Sequence, residues 1–237
     1  MRRIKWNIVF VTLTFCACIG AICYTAFRMD DIISTSSMLQ QDDFILILDA
    51  GHGGIDGGCS TADGQTEKGI NLNIMLSVRD LSKMFGYNVE VTRDKDKSIH
   101  DKGVTGIRNQ KVSDMENRLE LFNKYTNAVC VSIHQNTFSD PKFSGAQMFY
   151  SEKNTLSEQL AAIMQQKFVT NLQPDNLREI KLCGDELYLC YYCNNPAVMV
   201  ECGFLSNYEE AAKLTNAKHQ QKIAFTIFSG INEFVNI

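Results

Sequence analysis

Short apolar runs, each closed by a charged residue or a glycine, alternate along this chain with longer stretches in which apolar residues recur every three or four positions. The run at 44–48 (FILIL) ends in Asp49 and enters a glycine-rich turn at 50–58 (AGHGGIDGG). A continuous apolar run bounded by glycines predicts a strand buried on both faces, as in a parallel sheet. Residues 70–85 put Ile74, Val78, Leu81 and Phe85 on one helical face, and Gly86 supplies a left-handed cap. NVEVT at 88–92 alternates and predicts a second strand, and 94–110 reads as a charged surface loop. Ser113 and Glu116 have capping-box spacing. They predict a helix to Tyr125 that turns Val112, Met115, Leu119 and Phe122 inward. AVCVSI at 128–133 predicts a strand that ends in His134, and 146–150 another. Thr155 and Glu158 form a second capping box, ahead of Leu160, Met164 and Phe168 at helical spacing. Residues 171–186 read as irregular and 187–191 as a strand. AVMV at 197–200 is the last buried run and ends in Glu201. Two helices follow, one at 208–214 capped by Asn207 and one at 218–235 burying Ile223, Ile227, Ile231 and Phe234. The alternation predicts an α/β fold, a mostly parallel sheet with helices on both faces.

The N-terminal region has a different pattern. Residues 7–27 are almost uninterrupted apolar and follow Arg2, Arg3 and Lys5, long enough to span a bilayer of about 20 residues. The basic flank predicts a cytoplasmic N-terminus and an exported remainder. The absence of a small-x-small site favours an uncleaved anchor over a cleaved signal peptide. The bulky residues before Cys16 and Cys23 make a poor lipid-attachment site. Residues 1–28 thus read as a basic end plus transmembrane anchor, 29–43 as a polar linker, and 44–237 as the catalytic domain.

Charge and cysteine content add two exclusions. The formal net charge is −4, and residues 1–28 carry four bases and no acid, leaving 19 basic against 27 acidic residues beyond them. That excess of acid argues against a nucleic-acid partner, which calls for a basic face. Of the nine cysteines, three lie in the apolar N-terminal segment, and Cys190 and Cys193 form one C-x-x-C with no second copy to complete a structural zinc site. They read as buried thiols rather than as a metal or redox centre.

The candidate chemistry lies at strand ends. Three buried runs end in His52, His134 and Glu201, in a chain with only four histidines. In open α/β sheets, ligands bind just beyond the carboxyl ends of the strands. Two imidazoles and a carboxylate that leave a position open are the donor set of a catalytic zinc. A water activated there also wants a second acid to take its proton. Asp49, Asp56, Glu67 and Glu201 are the candidates, and spacing alone leaves the two roles open. The bland readings are that Asp49 and Asp56 cap the glycine turn and that Glu67 sits at a helix start favoured by the helix dipole. Arg93 reads as a surface ion pair with Asp94 or Asp96 ahead of a contact to a substrate carboxylate, Arg118 as a helix-surface charge, and His100 and His219 as solvated. Asn136 either orients a ligand or closes a turn.

Four stretches carry a family resemblance: LDAGHGG at 48–54, EKGIN at 67–71, SIHQN at 132–136 and VECGFLSN at 200–207. With them the chain resembles the zinc-dependent N-acetylmuramoyl-L-alanine amidases of the amidase-3 class, which cut stem peptides from peptidoglycan. Ala50 and Gln135 depart from the commoner residues, proline and a small or apolar residue. The resemblance implies a six-stranded sheet flanked by helices, with His52, Glu67 and His134 as zinc ligands and Glu201 as general acid/base. A narrower likeness, in 107–118 (IRNQKVSDMENR), VECGFLSN and the apolar N-terminus, is to the sporulation amidases of the CwlD type. It implies action on spore-cortex peptidoglycan ahead of muramic δ-lactam formation, a site between the forespore membranes of a Gram-positive bacterium, and a lipoprotein or other wall partner. The alternatives are a membrane-tethered peptidoglycan-binding protein without turnover and a zinc peptidase cutting within the stem.

Overall fold

The structure, a computed structural model, describes residues 44–237. The anchor and linker expected in residues 1–43 lie outside them. Among the described residues, no helix is long and apolar enough to cross a membrane. In chain order the elements are β1 (Ile45–Ala50), α1 (Glu67–Met84), β2 (Asn88–Val91), α2 (Ile107–Phe122), β3 (Ala128–Asn136), β4 (Gln147–Tyr150), α3 (Leu156–Asn171), β5 (Lys181–Leu182), α4 (Tyr188–Tyr192), β6 (Ala197–Phe204), α5 (Tyr208–Leu214) and α6 (Ala217–Val235).

The six strands form one sheet in the order β2-β1-β3-β6-β4-β5. The pairs β1–β2, β1–β3, β3–β6 and β4–β5 are parallel, and β4 runs antiparallel to β6. Alternate residues of β1, β3 and β6 face opposite layers, as strand periodicity requires. Leu46, Leu48, Ala50, Val131, Ile133 and Val200 join Ile74 and Val78 of α1, Met164 and Phe168 of α3, and Ile223 and Ile227 of α6 in the larger core. The opposite face carries Ile47 and Cys130, packed with Phe122 of α2 and Leu189 of α4. Further along the same strands, that second face turns polar: Asp49, Ser132, His134 and Glu201 occupy it at register positions Asp49↔Ser132 and His134↔Glu201.

Three expectations are corrected. The helix expected from Ser113 begins at Ile107, after Gly106. Ser113 lies inside it because its hydroxyl serves the preceding loop, accepting from Asp101 N at 3.0 Å and donating to Asp101 Oδ2 at 3.1 Å. Val112 is exposed, and Arg118 takes the inward place expected of an apolar residue. The strand expected at 187–191 is the short helix α4, which brings the rings of Tyr188 and Tyr192 together at 5.0 Å; a short apolar run does not distinguish the two by periodicity. At Thr155 the predicted cap is absent, and Asn154 Oδ1 accepts from Leu156 N instead. Gly86 (φ 84°) does end α1 in the left-handed region, and Asn207 does cap α5, accepting from Glu209 N and Glu210 N.

Candidate metal centre

The site begins where β1 stops. His52 follows the strand in a left-handed conformation (φ 63°), and it is the one non-glycine residue among those described with positive φ. Such backbone is strained for a residue with a Cβ, and strain of this kind gathers at functional sites. Two arginines hold the turn. Arg118 donates to Ala50 O (2.9 Å) and His52 O (2.7 Å), and its other contacts are the carboxylates of Asp114 and Asp49. Arg93 donates to Ala50 O, Gly51 O and Lys68 O. Both side chains are 1% exposed, so neither is the surface charge expected of it. A position on the stripe shared with Met115 and Phe122 was the signal for Arg118, and the buried acid Asp49 was the signal that a cation must be near.

Glu67 opens α1, where an acid in the first turn meets the positive end of the helix dipole. Its Oε1 lies 3.0 Å from His134 Nδ1, and its Oε2 lies 3.2 Å from His52 Nε2. Backbone N–H groups of Gln135 and Cys59 and the Asn71 amide donate to the same carboxylate at 3.0, 3.0 and 3.1 Å. His52 Nδ1 is 2.9 Å from Asp56 Oδ2, whose other oxygen is 2.8 Å from Lys111 Nζ. Asp56 thus serves the histidine beyond any role in its turn. Asn136 ends β3, where its side chain accepts from Thr137 N at 2.8 Å and its carbonyl accepts from Leu205 N at 2.8 Å.

Burial works against charge on both Glu67 and His52, but their mutual attraction prevails. The two imidazoles hold the Glu67 carboxyl far below the usual range, and Glu67 with Asp56 raises His52 to about 9. Glu201 behaves in the opposite way. Burial pushes its carboxyl up to about 7, against the opposing pull of His134. Its Oε2 is buried with no hydrogen-bond partner, a state that natural proteins rarely leave unexplained.

His52, Glu67 and His134 each offer one ligand atom, and the three atoms lie within 4.8 Å of one another. The residues around them fit an ion. A Cβ at Gly58 would lie 2.5 Å from Glu67 Oε2 and 2.7 Å from the His52 ring, and one at Gly51 would lie 2.1 Å from the His134 ring. Glycine is therefore required where the backbone passes the cluster. Beside it opens a cavity of about 320 Å³, lined by His52, Ile55, Ile107, Lys111, Met115, Tyr188 and Glu201 among others.

A cluster of two histidines and a glutamate at the carboxyl rim of a mostly parallel sheet, with a further acid beside a cavity, defines an α/β domain with a place for a metal ion at its strand ends. Comparison with known proteins narrows the class. The sequence profile of the family described as N-acetylmuramoyl-L-alanine amidase matches residues 46–233. A germination-specific N-acetylmuramoyl-L-alanine amidase of Bacillus subtilis (strain 168) is 35% identical over 187 residues, 79% of this chain and 78% of that protein. The CwlD amidase from Clostridioides difficile, solved in complex with the GerS lipoprotein, is 38% identical with a TM-score of 0.77, covering 81% of this chain and 98% of that one. An N-acetylmuramoyl-L-alanine amidase from Clostridium difficile 630 is 28% identical with a TM-score of 0.69, covering 82% and 98%. The chain belongs to the amidase-3 family of N-acetylmuramoyl-L-alanine amidases, and within it is CwlD-like. Enzymes of this family cleave the bond between N-acetylmuramic acid and L-alanine in peptidoglycan.

Proposed function

We propose that this chain is a zinc-dependent amidase that strips stem peptides from spore-cortex peptidoglycan, with His52, Glu67 and His134 as zinc ligands and Glu201 as general acid/base. The observation that carries the reading is the meeting of three ligand atoms within 4.8 Å beside a buried carboxylate oxygen that has no partner of its own. Two imidazoles and a carboxylate match the donor set of a catalytic zinc. Zinc bound there supplies a Lewis acid for the lactyl carbonyl and lowers the pKa of water toward about 7.

The remaining work falls to the protein. Asp56 accepts from Nδ1–H of His52 and so leaves Nε2, on the side of Glu67, as the ring atom that would bind an ion, the arrangement common to metal-binding histidines. Glu201, poised near neutrality, takes a proton from the attacking water and returns it to the alanine nitrogen as the C–N bond breaks. Ile55, Ile107 and Met115 give the cavity apolar walls beside the polar ends of Gln110 and Lys111, a mixed surface suited to a sugar–peptide junction.

The spore setting is supported by likeness to the germination-specific enzyme of B. subtilis and to CwlD. There, stem removal frees muramic acid to close as the δ-lactam. A lipoprotein partner is supported by the C. difficile complex with GerS. Residues 1–28 serve as the membrane anchor and hold the catalytic domain, 44–237, between the forespore membranes. The test is digestion of purified peptidoglycan by the zinc-loaded full chain, read by mass spectrometry. Released peptides that begin with intact L-alanine, absent with Glu201→Gln, are expected. Fragments cut between stem residues would overturn the reading in favour of a peptidase.

A further inference from the structure

The one C-x-x-C of the chain does not act as a pair. Cys190, in α4, and Cys193, just after it, send their thiols to different partners in different clusters. Cys193 meets Cys130 in the layer between the sheet and α2, where the two are 1% and 0% exposed. Cys190 packs with Cys183, which directly follows the edge strand β5, in a small buried cluster that Met199 completes. The end of β4 holds both residues: Cys183 N donates to Tyr150 O at 2.8 Å, and Cys190 Sγ donates to Phe149 O at 3.5 Å. Among the described residues, His52, Glu67 and His134 are the one group of three or more such side chains gathered closely enough for a metal. The four cysteines therefore form two separate pairs and not a tetrahedral site.

We infer that Cys183 and Cys190 are a redox-active dithiol that closes to a disulfide in the exported protein and staples one wall of the catalytic cavity. The ring so formed would contain residues 184–189, and Glu186, Leu187, Tyr188 and Leu189 of that segment line the cavity. A cell-wall substrate lies outside the cytoplasm, where disulfides form and persist. The oxidant required is a disulfide donor, a small molecule or an oxidoreductase. The Cys183 thiolate attacks one sulfur of the donor, whose S–S bond breaks, and one thiolate leaves and takes up a proton. The Cys190 thiol then loses its proton and attacks the Cys183 sulfur, expelling the second donor thiol. Two protein thiols are oxidised and one disulfide is reduced to two thiols. Cys183, 5% exposed against 2% for Cys190, is the member reached first, since it directly follows the two-residue edge strand where local opening is easiest. The Cys130–Cys193 pair is sealed under α2 and stays reduced.

The test uses the full chain incubated with glutathione disulfide, then alkylated and digested for disulfide mapping. Cleavage after Glu186 separates Cys183 from Cys190, and cleavage after Tyr192 separates Cys190 from Cys193. The expected result is a Cys183–Cys190 link with Cys130 and Cys193 alkylated. The link should be lost in Cys183→Ser and kept in Cys193→Ser. In the folded protein the oxidised form should be cut more slowly at Glu186, and its KM for muropeptide should shift while the covalent link persists. Alkylation of both Cys183 and Cys190 after oxidation, or a Cys190–Cys193 link, would overturn the inference. The disulfide map is a covalent readout that stands apart from catalysis, so its failure leaves the amidase reading untouched.

Discussion

Glu67 accepts hydrogen bonds from Cys59 N, Gln135 N and Asn71 Nδ2 while each of its oxygens faces one imidazole. Those three donors fix the carboxylate before any cation arrives, so little of its freedom is lost on binding. Asn71 is the one side chain among them that can be cut back without moving the backbone. It is fully buried, and it also donates to Gly51 O at 3.3 Å and accepts from Gln135 Nε2 at 3.1 Å. Asn71→Ala should weaken zinc binding by about 10–100-fold, the usual effect of removing a partner of a metal ligand. Competition against a chelator of known affinity would measure it. An unchanged affinity would mean that Glu67 does not depend on this partner.

At the scale of elements, one buried ion pair joins four of them. Asp49 of β1 accepts from Thr92, just past β2, and from Ser132 of β3, and it meets Arg118 of α2. Burial by itself would raise the Asp49 carboxyl, but Arg118, the charge of His134, Ser132 and Thr92 together hold it below its ordinary value of 3.8. A carboxyl depressed by folding adds stability that is complete above its unfolded value. That stability is lost as pH falls through the lower folded value. Denaturant melts taken downward from about pH 5 should therefore show stability falling below about pH 4, with a shallower fall in Asp49→Asn. Arg118→Met would leave a buried carboxylate unpaired and should cost about 3–5 kcal/mol. A loss below 1 kcal/mol would show that the pair is not what joins these elements.

The same elements show what the sequence could and could not reveal. Apolar runs marked β1, β3 and β6 because strands buried on both faces leave no alternation to misread. Glycine and asparagine caps marked the ends of α1 and α5. Ser113 misled because a hydroxyl three residues before a glutamate looks the same whether it caps its own helix or, as here, ties down a loop through Asp101. Arg93 was unreadable as a buried residue because its partners at 50, 51 and 68 are carbonyls far away in sequence, whereas Arg118 did carry a signal in its place on the stripe of Met115 and Phe122.

For the whole molecule, strand order does the assembling. Because β1, β3 and β6 are neighbours, residues 52, 134 and 201 come to one rim from a chain spread over 150 positions. The convergence of His52, His134 and Glu201 was legible from three apolar runs ending alike. Glu67 was not, since it comes from a helix start whose acid has a sufficient reason in the helix dipole; only the family resemblance singled it out as a ligand. The division of labour proposed for Glu67 and Glu201 follows from their partners. One acid is neutralised by two imidazoles and three donors, and the other is left with an unpartnered oxygen and a carboxyl near 7. The measurement that tests this most directly is an anomalous difference map at the zinc edge from crystals of the Glu201→Gln variant grown with zinc. A single peak bounded by His52, Glu67 and His134 is the result expected, since Glu201 is assigned no part in holding the metal. Loss of that peak in the variant but not in the unaltered protein, or a peak at the cysteines, would contradict the assignment of ligand and acid/base.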